Sequence, residues 1–368
     1  MRITGAVLEE IGRPAPYRDS LPLSVGALEL ADPGPTELLV RIEAAGICHS
    51  DLSVVDGNRP RPVPMLLGHE AAGIVEAVGD QVGDVAVGDR VVLTFLPRCG
   101  ECAGCRTNGR LPCERGSASN ASGELLGGGT RLSRDGTPVA HHLGASAFAT
   151  HAVVDRRSVV PVGADVPPDV AALLGCAVLT GGGAVRNASG AAPGEPVMVV
   201  GLGGVGLAAV LVARALGHPV IGVDALPAKL ETAAALGADR VATPDELGST
   251  RAAVVIEAAG SARAFETAFA ATAPGGTTVT VGLPSPAARA SLPPLTFTAE
   301  ARTVVGSYLG SSVPERVVPV YADLWRAGRL PVERLVSATL PLQETNGAMD
   351  ALASGAALRQ LITFDERN

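Results

Sequence analysis

The spacing of hydrophobic and polar positions changes near residue 177. Between residues 36 and 95, short apolar runs alternate with polar residues and are separated by Gly-Asp turns. The clearest of these strand-like runs are ELLVRIEAAGI, EAAGIVEAVG and VGDRVVLTF. This pattern predicts a closed or nearly closed antiparallel barrel. Residues 98–150 are rich in Gly, Cys and Ser and lack periodicity, so we expect lobes and loops there.

From about residue 177 to residue 310, apolar strands alternate with Ala-rich helical stretches. The strand-like runs are PVMVVG, PVIGVD, DRVATP, AAVVIEAAG and GTTVTVGL. This order predicts an α/β fold, with a doubly wound parallel sheet and helices on both of its faces. Residues 311–368 lack this pattern, and we expect them to return to the first domain.

Chain length, net charge and the lengths of apolar stretches limit the classes of protein to which the chain can belong. A chain of 368 residues predicts two domains. A net charge of −8 argues against a nucleic-acid partner. Glu9 and Glu10 interrupt any signal-peptide core, and the most apolar stretch, residues 196–213, is shorter than a membrane span. We therefore expect a cytoplasmic protein without a membrane partner.

A glycine-rich motif, GLGGVG, follows the strand PVMVV and begins a helix. Gly201 permits a tight turn, Gly203 lets the backbone approach a pyrophosphate, and Gly206 allows close packing of helix on strand. The helix N-terminus then faces the phosphate charge. The alternative is a purely structural turn. The predicted dinucleotide-binding residues of this motif are Gly201, Gly203, Gly204, Val205 and Gly206.

Asp224 ends the next predicted strand. A carboxylate at this position accepts hydrogen bonds from ribose hydroxyls and repels a 2′-phosphate, so it favours NAD over NADP. Lys229 is the only lysine of the chain and lies five residues further on, within reach of the same ribose. An exposed lysine at a helix start is the alternative for Lys229.

The chain contains six cysteines, and four of them form a cluster with the spacing Cys99-x2-Cys102-x2-Cys105-x7-Cys113. Four thiolates on one short loop suit a tetrahedral structural zinc. Disulfides would require an oxidising compartment, which a chain without an export signal does not indicate. An iron–sulfur cluster also uses C-x2-C-x2-C, but its fourth cysteine follows after three residues and precedes Pro. The spacing favours zinc.

Cys48 and Cys176 lie outside this cluster, each beside a glycine-bearing turn, and His69 lies in LGHEAAG. Together they offer the two thiolates and one imidazole of a catalytic zinc site that leaves a fourth position open. The alternative for each residue alone is a buried structural side chain.

The motifs together resemble the zinc-dependent alcohol dehydrogenases of the medium-chain dehydrogenase/reductase family. GICHSD, GHEAAGIVEAVG, CGECAGC, GLGGVG and LRQLITF match in order across nearly the whole chain. The segment HHLGASAFATHAVVD resembles the longer animal- and plant-type branch, which includes formaldehyde dehydrogenases. The resemblance implies a GroES-like catalytic domain over 1–176 with a zinc lobe at 98–114, a Rossmann domain over 177–310, and a dimer formed near 303–309.

The resemblance also implies roles for individual residues, two zinc ions per chain, NAD and a small alcohol or aldehyde substrate. Cys48, His69 and Cys176 would bind the catalytic zinc, with Asp51 on His69. Ser50 would accept the alcohol proton. The remaining implied residues are Glu70 behind the zinc, His49 and Arg359 on the pyrophosphate, Thr180 and Val281 at the nicotinamide, and Phe95, Leu143, Leu283 and Leu309 in the substrate cleft.

One position departs from the family pattern. Ser53 stands where members of this branch carry a histidine that relays the proton to solvent. Water or His49 could replace that relay, or the enzyme could be slower at neutral pH. A zinc-containing reductase of a conjugated or iminium substrate is a second hypothesis, and a non-catalytic NAD-binding or zinc scaffold is a third.

Overall fold

A computed structural model describes residues 1–364, and the chain divides into two compact units. The first unit consists of Met1–Thr107, Pro112–Cys176 and the chain from Val336 onward. The second consists of Asn108–Leu111 and Ala177–Leu335. Two distant parts of the sequence therefore build the first unit.

The strands alternate with helices in the second unit and dominate the first. In chain order they are β1 (Arg2–Leu8), β2 (Leu23–Leu30), β3 (Glu37–Ile47), β4 (Met65–Leu66), β5 (Glu70–Val78), β6 (Arg90–Leu93), β7 (Leu132–Arg134), β8 (Thr137–His141), β9 (His151–Asp155), β10 (Val159–Val162), β11 (Val197–Val200), β12 (Val220–Val223), β13 (Arg240–Ala242), β14 (Ala252–Glu257), β15 (Thr272–Thr280), β16 (Thr303–Gly306), β17 (Ala338–Leu340) and β18 (Gln360–Thr363).

The α-helices are mostly short. In chain order they are α1 (Tyr17–Ser20), α2 (His49–Val55), α3 (Ala103–Arg106), α4 (Glu114–Ser122), α5 (Pro168–Leu174), α6 (Ala177–Gly183), α7 (Gly204–Ala215), α8 (Pro227–Ala235), α9 (Ala262–Ala270), α10 (Pro294–Ala299), α11 (Pro314–Arg326) and α12 (Thr345–Ala353).

The first unit contains a closed barrel, but its strands are not the predicted ones. The barrel order is β1-β2-β7-β8-β4. The predicted runs form β3, β5 and β6 of a separate seven-stranded sheet in the order β10-β6-β5-β3-β18-β17, with β9 paired to β3. The expectation of loops over residues 98–150 is wrong at β7 and β8. These strands are only three and five residues long, which is too short for a period to be visible.

The core of the first unit packs against the open seven-stranded sheet. Alternate residues of β3, including Val40 and Ile42, are fully buried with Phe148 in one apolar cluster. β18 pairs antiparallel with β3, from Gln360 opposite Ile47 to Thr363 opposite Ala44. The chain after Val336 thus completes the sheet that carries the site described below.

The second unit confirms the predicted doubly wound sheet. Six parallel strands run in the order β13-β12-β11-β14-β15-β16. α7 follows β11 and buries nearly its whole length, as its continuous run of apolar residues predicts.

The second unit extends past the predicted boundary at residue 310. Tyr321 of α11 is fully buried, and its hydroxyl would lie 2.6 Å from a Cβ on Gly182 of α6. Arg334 donates a hydrogen bond from Nη2 to the carbonyl of Ala235 at 2.7 Å. These contacts bind residues 311–335 to the second unit. Of the predicted C-terminal segment, only the part from Val336 onward therefore belongs to the first unit.

Among residues 1–364, no single helix has the length and apolarity that crossing a membrane requires. One pair of helices with a bend between them, Pro168–Leu174 and Ala177–Ala188, has that length and apolarity when the two are taken together, by length and composition alone.

Candidate metal and cofactor sites

Cys48, His69 and Cys176 meet in the first unit. Their side chains are buried, and the Sγ and ring nitrogen atoms of the three all lie within 4.8 Å of one another. The Sγ of Cys176 lies 3.4 Å from Nε2 of His69. Zinc–sulfur and zinc–nitrogen bonds at a tetrahedral angle require a separation of about 3.5 Å between these atoms. The cluster therefore fits one zinc ion.

The backbone brings these three side chains together at element ends. Cys48 is the N-cap of α2, directly after β3, and His69 immediately precedes β5. Cys176 lies between α5 and α6. A Cβ on Gly68 would come within 2.5 Å of Phe148, and one on Gly175 within 2.0 Å of the carbonyl of Leu93. Only glycine fits immediately before His69 and before Cys176.

Asp51 fixes the imidazole of His69. Its Oδ1 lies 3.0 Å from Nδ1 of His69, and its Oδ2 accepts a hydrogen bond from the backbone N–H of Cys48 at 3.0 Å. Nδ1 therefore donates to Asp51, and Nε2 is the ring nitrogen that faces the thiols. Burial acts against the charge on Asp51, but His69 and His142 outweigh burial and hold its pKa at about 2.

The two thiols of the cluster share one proton. The hydrogen bond from Cys176 lowers the pKa of Cys48 well below its ordinary value, and Arg359 and His69 act in the same direction. Cys48 in turn raises the pKa of Cys176 well above its ordinary value, together with burial. Binding a divalent cation would release that remaining proton.

Glu70 and Arg359 form a buried ion pair behind this cluster. Nη1 of Arg359 lies 2.9 Å from Oε2 of Glu70 and also donates to the carbonyl of Ile47 at 3.3 Å. Gly46 makes room for Glu70, because a Cβ there would lie 2.9 Å from the Glu70 carboxyl carbon. The guanidinium occupies the interior of the first unit, and its predicted contact with a pyrophosphate stays a prediction.

The first turn of α2 carries the predicted proton path. His49 is exposed, and Ser50 is half-buried. Oγ of Ser53 donates a hydrogen bond to the backbone carbonyl of His49 at 2.6 Å. The Ser53 hydroxyl is therefore bonded to its own helix.

The other four cysteines form a second cluster in the first unit. Sγ of Cys99 lies 3.9 Å from that of Cys105, and Sγ of Cys102 lies 3.9 Å from that of Cys113. Four thiolates around one tetrahedral zinc are separated by about 3.8 Å. The sulfurs of an iron–sulfur cube surround several metal atoms and stand farther apart, so the geometry favours a single ion.

Backbone donors prepare this second cluster for thiolates. Cys102 and Cys113 are the N-caps of α3 and α4, and their Sγ atoms accept N–H bonds from Cys105 and Gly116. The N–H groups of Cys105 and Glu114 lower the pKa of Cys102 to about 6. Burial raises the pKa of Cys105 to about 12. A bound cation is what allows all four to lose their protons.

The glycine-rich loop of the second unit has an open face. Gly201 has φ +94°, and a Cβ there would collide with Ala259 at 2.5 Å. A Cβ on Gly206 would lie 1.8 Å from the carbonyl oxygen of Gly201. A Cβ on Gly203 would meet nothing within 4 Å. Gly203 therefore faces open space at the N-terminus of α7, and Gly204 and Val205 form its first turn.

Asp224 lies beside this loop. Its Oδ2 accepts from the N–H of Leu202 at 2.8 Å, its Oδ1 accepts from Leu226 at 3.0 Å, and Nζ of Lys229 lies 3.8 Å from Oδ2. A cleft of about 350 Å³ opens here. It is lined by Val200, Gly201, Val223, Asp224, Ala225, Thr243, Pro244, Asp245, Ala259, Ser261, Arg263, Ala264 and Thr267.

The predicted cleft residues fall in both units. In the first unit, the ring of Phe95 packs perpendicular to that of His69, with centroids 5.7 Å apart. Leu143, the residue after His142, is buried in the same unit. In the second unit, Leu283 is exposed, whereas the predicted residues Thr180, Val281 and Leu309 are buried. Their roles at a nicotinamide or substrate stay predictions.

His142 lies beside Asp51 and His69 and was not predicted from the sequence. Its imidazole is buried, its Nδ1 lies 3.2 Å from Oδ1 of Asp51, and its ring stands perpendicular to that of His69. The dipeptide His141-His142 was visible in the sequence, but nothing in its spacing connects it to residue 51 or 69.

Known protein families and a curated relative match most of the chain. The family described as alcohol dehydrogenase GroES-like domain matches residues 34–164, and the one described as zinc-binding dehydrogenase matches residues 204–324. Geraniol dehydrogenase from Castellaniella defragrans is 36% identical over 98% of this chain and 97% of its own length.

Solved structures extend the comparison to the fold. An alcohol dehydrogenase zinc-binding domain protein from Burkholderia ambifaria has a TM-score of 0.92 and 32% identity, with 100% of each chain covered. Benzyl alcohol dehydrogenase from Acinetobacter calcoaceticus has a TM-score of 0.90 and 31% identity, covering 99% of this chain and 100% of its own.

Proposed function

The chain belongs to the zinc-binding alcohol dehydrogenases of the medium-chain dehydrogenase/reductase family, and we propose that it transfers hydride between an alcohol and NAD. The observation that carries the proposal is the meeting of Cys48, His69 and Cys176 around one point, with Nδ1 of His69 already bonded to Asp51. These three side chains would hold a catalytic zinc ion, and a site with three protein ligands leaves one position for a substrate.

Zinc bound there supplies Lewis acidity, which lowers the pKa of an oxygen bound to it. Asp51 holds His69 in the tautomer that such binding needs. Arg359 balances the charge of Glu70 and favours the thiolate of Cys48. These residues prepare the site before substrate arrives.

Ser50 accepts the alcohol proton at Oγ in this proposal. Ser53 does not relay the proton, because its hydroxyl is bonded to the carbonyl of His49. The exposed imidazole of His49, on the same turn of α2, passes the proton to solvent instead.

Asp224 supports NAD as the cofactor. Its carboxylate is held in place by two backbone N–H groups, and Asp245 adds a second acidic side chain to the same cleft. Both oppose a 2′-phosphate. Lys229 lies close enough to Asp224 to bind the ribose alongside it.

The substrate we propose is an apolar, unsaturated or aryl primary alcohol. Geraniol and benzyl alcohol, named for two relatives, are of this kind. Phe95 and Leu143 offer apolar surface in the first unit.

The second zinc would be structural, on the four clustered cysteines. We further propose that the protein is a cytoplasmic homodimer of the longer animal- and plant-type branch.

The test is a substrate panel of geraniol, benzyl alcohol and ethanol, each with NAD and with NADP, followed by NADH or NADPH absorbance. We expect NAD-linked oxidation of the first two and two zinc ions per chain. Preferential reduction of conjugated or iminium substrates would favour the reductase hypothesis. Activity on none of them, with only one zinc bound, would favour the scaffold hypothesis.

A further inference from the structure

His142 is a buried imidazole that the proposed reaction does not use. It follows β8 directly, and only 1% of its surface is exposed. The carboxylate of Asp51 faces Nδ1 of His142 at 3.2 Å, and an acceptor at that position places an N–H on Nδ1.

This N–H has no aligned acceptor within residues 1–364. Oδ1 of Asp51 is 3.2 Å from Nδ1, yet this contact does not reach full hydrogen-bond geometry. The same Oδ1 already lies 3.0 Å from Nδ1 of His69 and accepts from the N–H of Gly68 at 3.3 Å. Three donors therefore converge on an oxygen that has two lone pairs.

Two aromatic rings also pack against the imidazole of His69. The imidazole of His69 lies between two perpendicular rings, that of His142 at 5.4 Å and 89° and that of Phe95 at 5.7 Å and 88°. A phenyl ring at residue 142 would give the same packing. Only the N–H of His142 adds a contact with Asp51 that Phe cannot make.

The loop holds His142 firmly in this place. Leu143 and Ser146 adopt left-handed backbone conformations, with φ of 52° and 54°, which L-residues rarely adopt. The N–H of His142 donates to Oγ of Ser146 at 2.9 Å, and that hydroxyl donates to the carbonyl of Leu66 at 2.9 Å. The contact with Asp51 thus depends on a turn with a strained backbone, and this turn is anchored to Leu66 of β4.

We propose that His142 is a positioning residue that shares Asp51 with His69 and weakens the hold of Asp51 on the zinc ligand. A carboxylate bonded fully to Nδ1 raises the electron density at Nε2 and strengthens the metal–nitrogen bond. Sharing the carboxylate has the opposite effect and leaves the bound metal more electrophilic. This inference rests on the proposed zinc ligation by Cys48, His69 and Cys176.

The test measures metal binding rather than turnover. Zinc affinity of the catalytic site is determined by competition with a chromophoric chelator in wild type, His142→Phe and His142→Leu, with the structural site kept loaded. His141→Phe is the matched control, because His141 is equally buried at the end of β8, next to His142, but its Nε2 accepts from the N–H of Arg131 instead. Proton NMR of the Co²⁺-substituted proteins follows the exchangeable N–H of His69.

We expect both His142 variants to bind zinc about threefold to tenfold more tightly, below the 10- to 100-fold range for direct partners of a ligand. The His69 N–H should shift and exchange more slowly, and His141→Phe should change neither property. Unchanged or weaker zinc binding in both variants, with an unchanged His69 resonance, would overturn the inference. A wild type that binds no zinc at this site would instead overturn the proposed function.

Discussion

Oγ of Ser53 donates a hydrogen bond to the backbone carbonyl of His49, 2.6 Å away on the same helix. The bond gives the serine hydroxyl a partner within α2. It also makes the proposed proton path on α2 open to direct tests.

Replacing Ser53 with histidine should speed alcohol oxidation. A half-exposed imidazole one turn beyond His49 would offer a second proton acceptor, and we expect kcat to rise by about threefold to tenfold at pH 7. Ser53→Ala is the control and should keep the wild-type rate, because only a bond to the backbone is lost. A rate loss in Ser53→Ala comparable to that of His49→Ala would show that the serine hydroxyl carries the proton.

The two cysteine clusters should separate activity from stability. Cys48→Ser should abolish turnover, leave one zinc per chain and change the melting temperature little. Cys105→Ser should also leave one zinc but lower the melting temperature strongly, because structural zinc contributes about 10 kcal/mol or more to folding. Metal analysis and thermal unfolding of both variants check this. Equal loss of stability in the two would contradict the assignment.

Two glycines of the dinucleotide loop should fail in different ways when changed to alanine. Gly206→Ala should destabilise the second unit, because the added Cβ would lie 1.8 Å from the Gly201 carbonyl oxygen. Gly203→Ala should fold normally, since its Cβ would meet nothing within 4 Å. Its KM for NAD should nevertheless rise, because the Cβ points where a pyrophosphate approaches. Normal NAD binding by folded Gly203→Ala would place the cofactor elsewhere.

Removing the charge of Asp224 should relax cofactor choice. Asn keeps an acceptor for one of the N–H groups of Leu202 and Leu226 but no longer repels a 2′-phosphate. We expect the ratio of kcat/KM for NADP to that for NAD to rise about tenfold, or about 1.4 kcal/mol. Asp239→Asn is the control, because Asp239 lies outside the cleft and pairs with Arg214. The same change of ratio in both variants would rule out a local effect.

His141 should make the first unit sensitive to acid. Burial and, secondarily, Arg131 lower the pKa of His141 from 6.5 to about 3. Between these values the unfolded chain binds a proton that the folded chain does not, so stability falls as pH falls below 6.5 and is unaffected above it. The full effect on the free energy of unfolding is about 5 kcal/mol. His141→Gln should flatten the dependence in urea titrations from pH 6.5 downward, and an unchanged slope would contradict this origin.

The sequence predicted best what depends on short-range spacing. The intervals between Cys99, Cys102, Cys105 and Cys113 alone predicted that their side chains come together, and GLGGVG predicted a strand-to-helix turn. The barrel was assigned to the wrong strands because a two-residue strand, Met65–Leu66, closes it by pairing with β1 and β8. So short an element carries no periodic signal.

Long-range contacts set the limit on predicting the site. Cys48, His69 and Cys176 were joined through family resemblance, since no local pattern relates residue 48 to residue 176. His142 was missed for the same reason: its approach to Asp51 depends on the left-handed turn at Leu143 and Ser146, which apolar and polar patterning does not encode.

The pairing of β18 with β3 has a consequence for biosynthesis. Gln360 lies opposite Ile47, and Arg359 meets Glu70 289 residues after it in the chain. While the protein emerges from the ribosome, the segment 177–335 can complete its parallel sheet, but Glu70 still lacks its counter-charge. We expect the nascent first unit to remain unfinished around Cys48, His69 and Cys176 until β18 is released, so the order of synthesis delays the completion of this cluster.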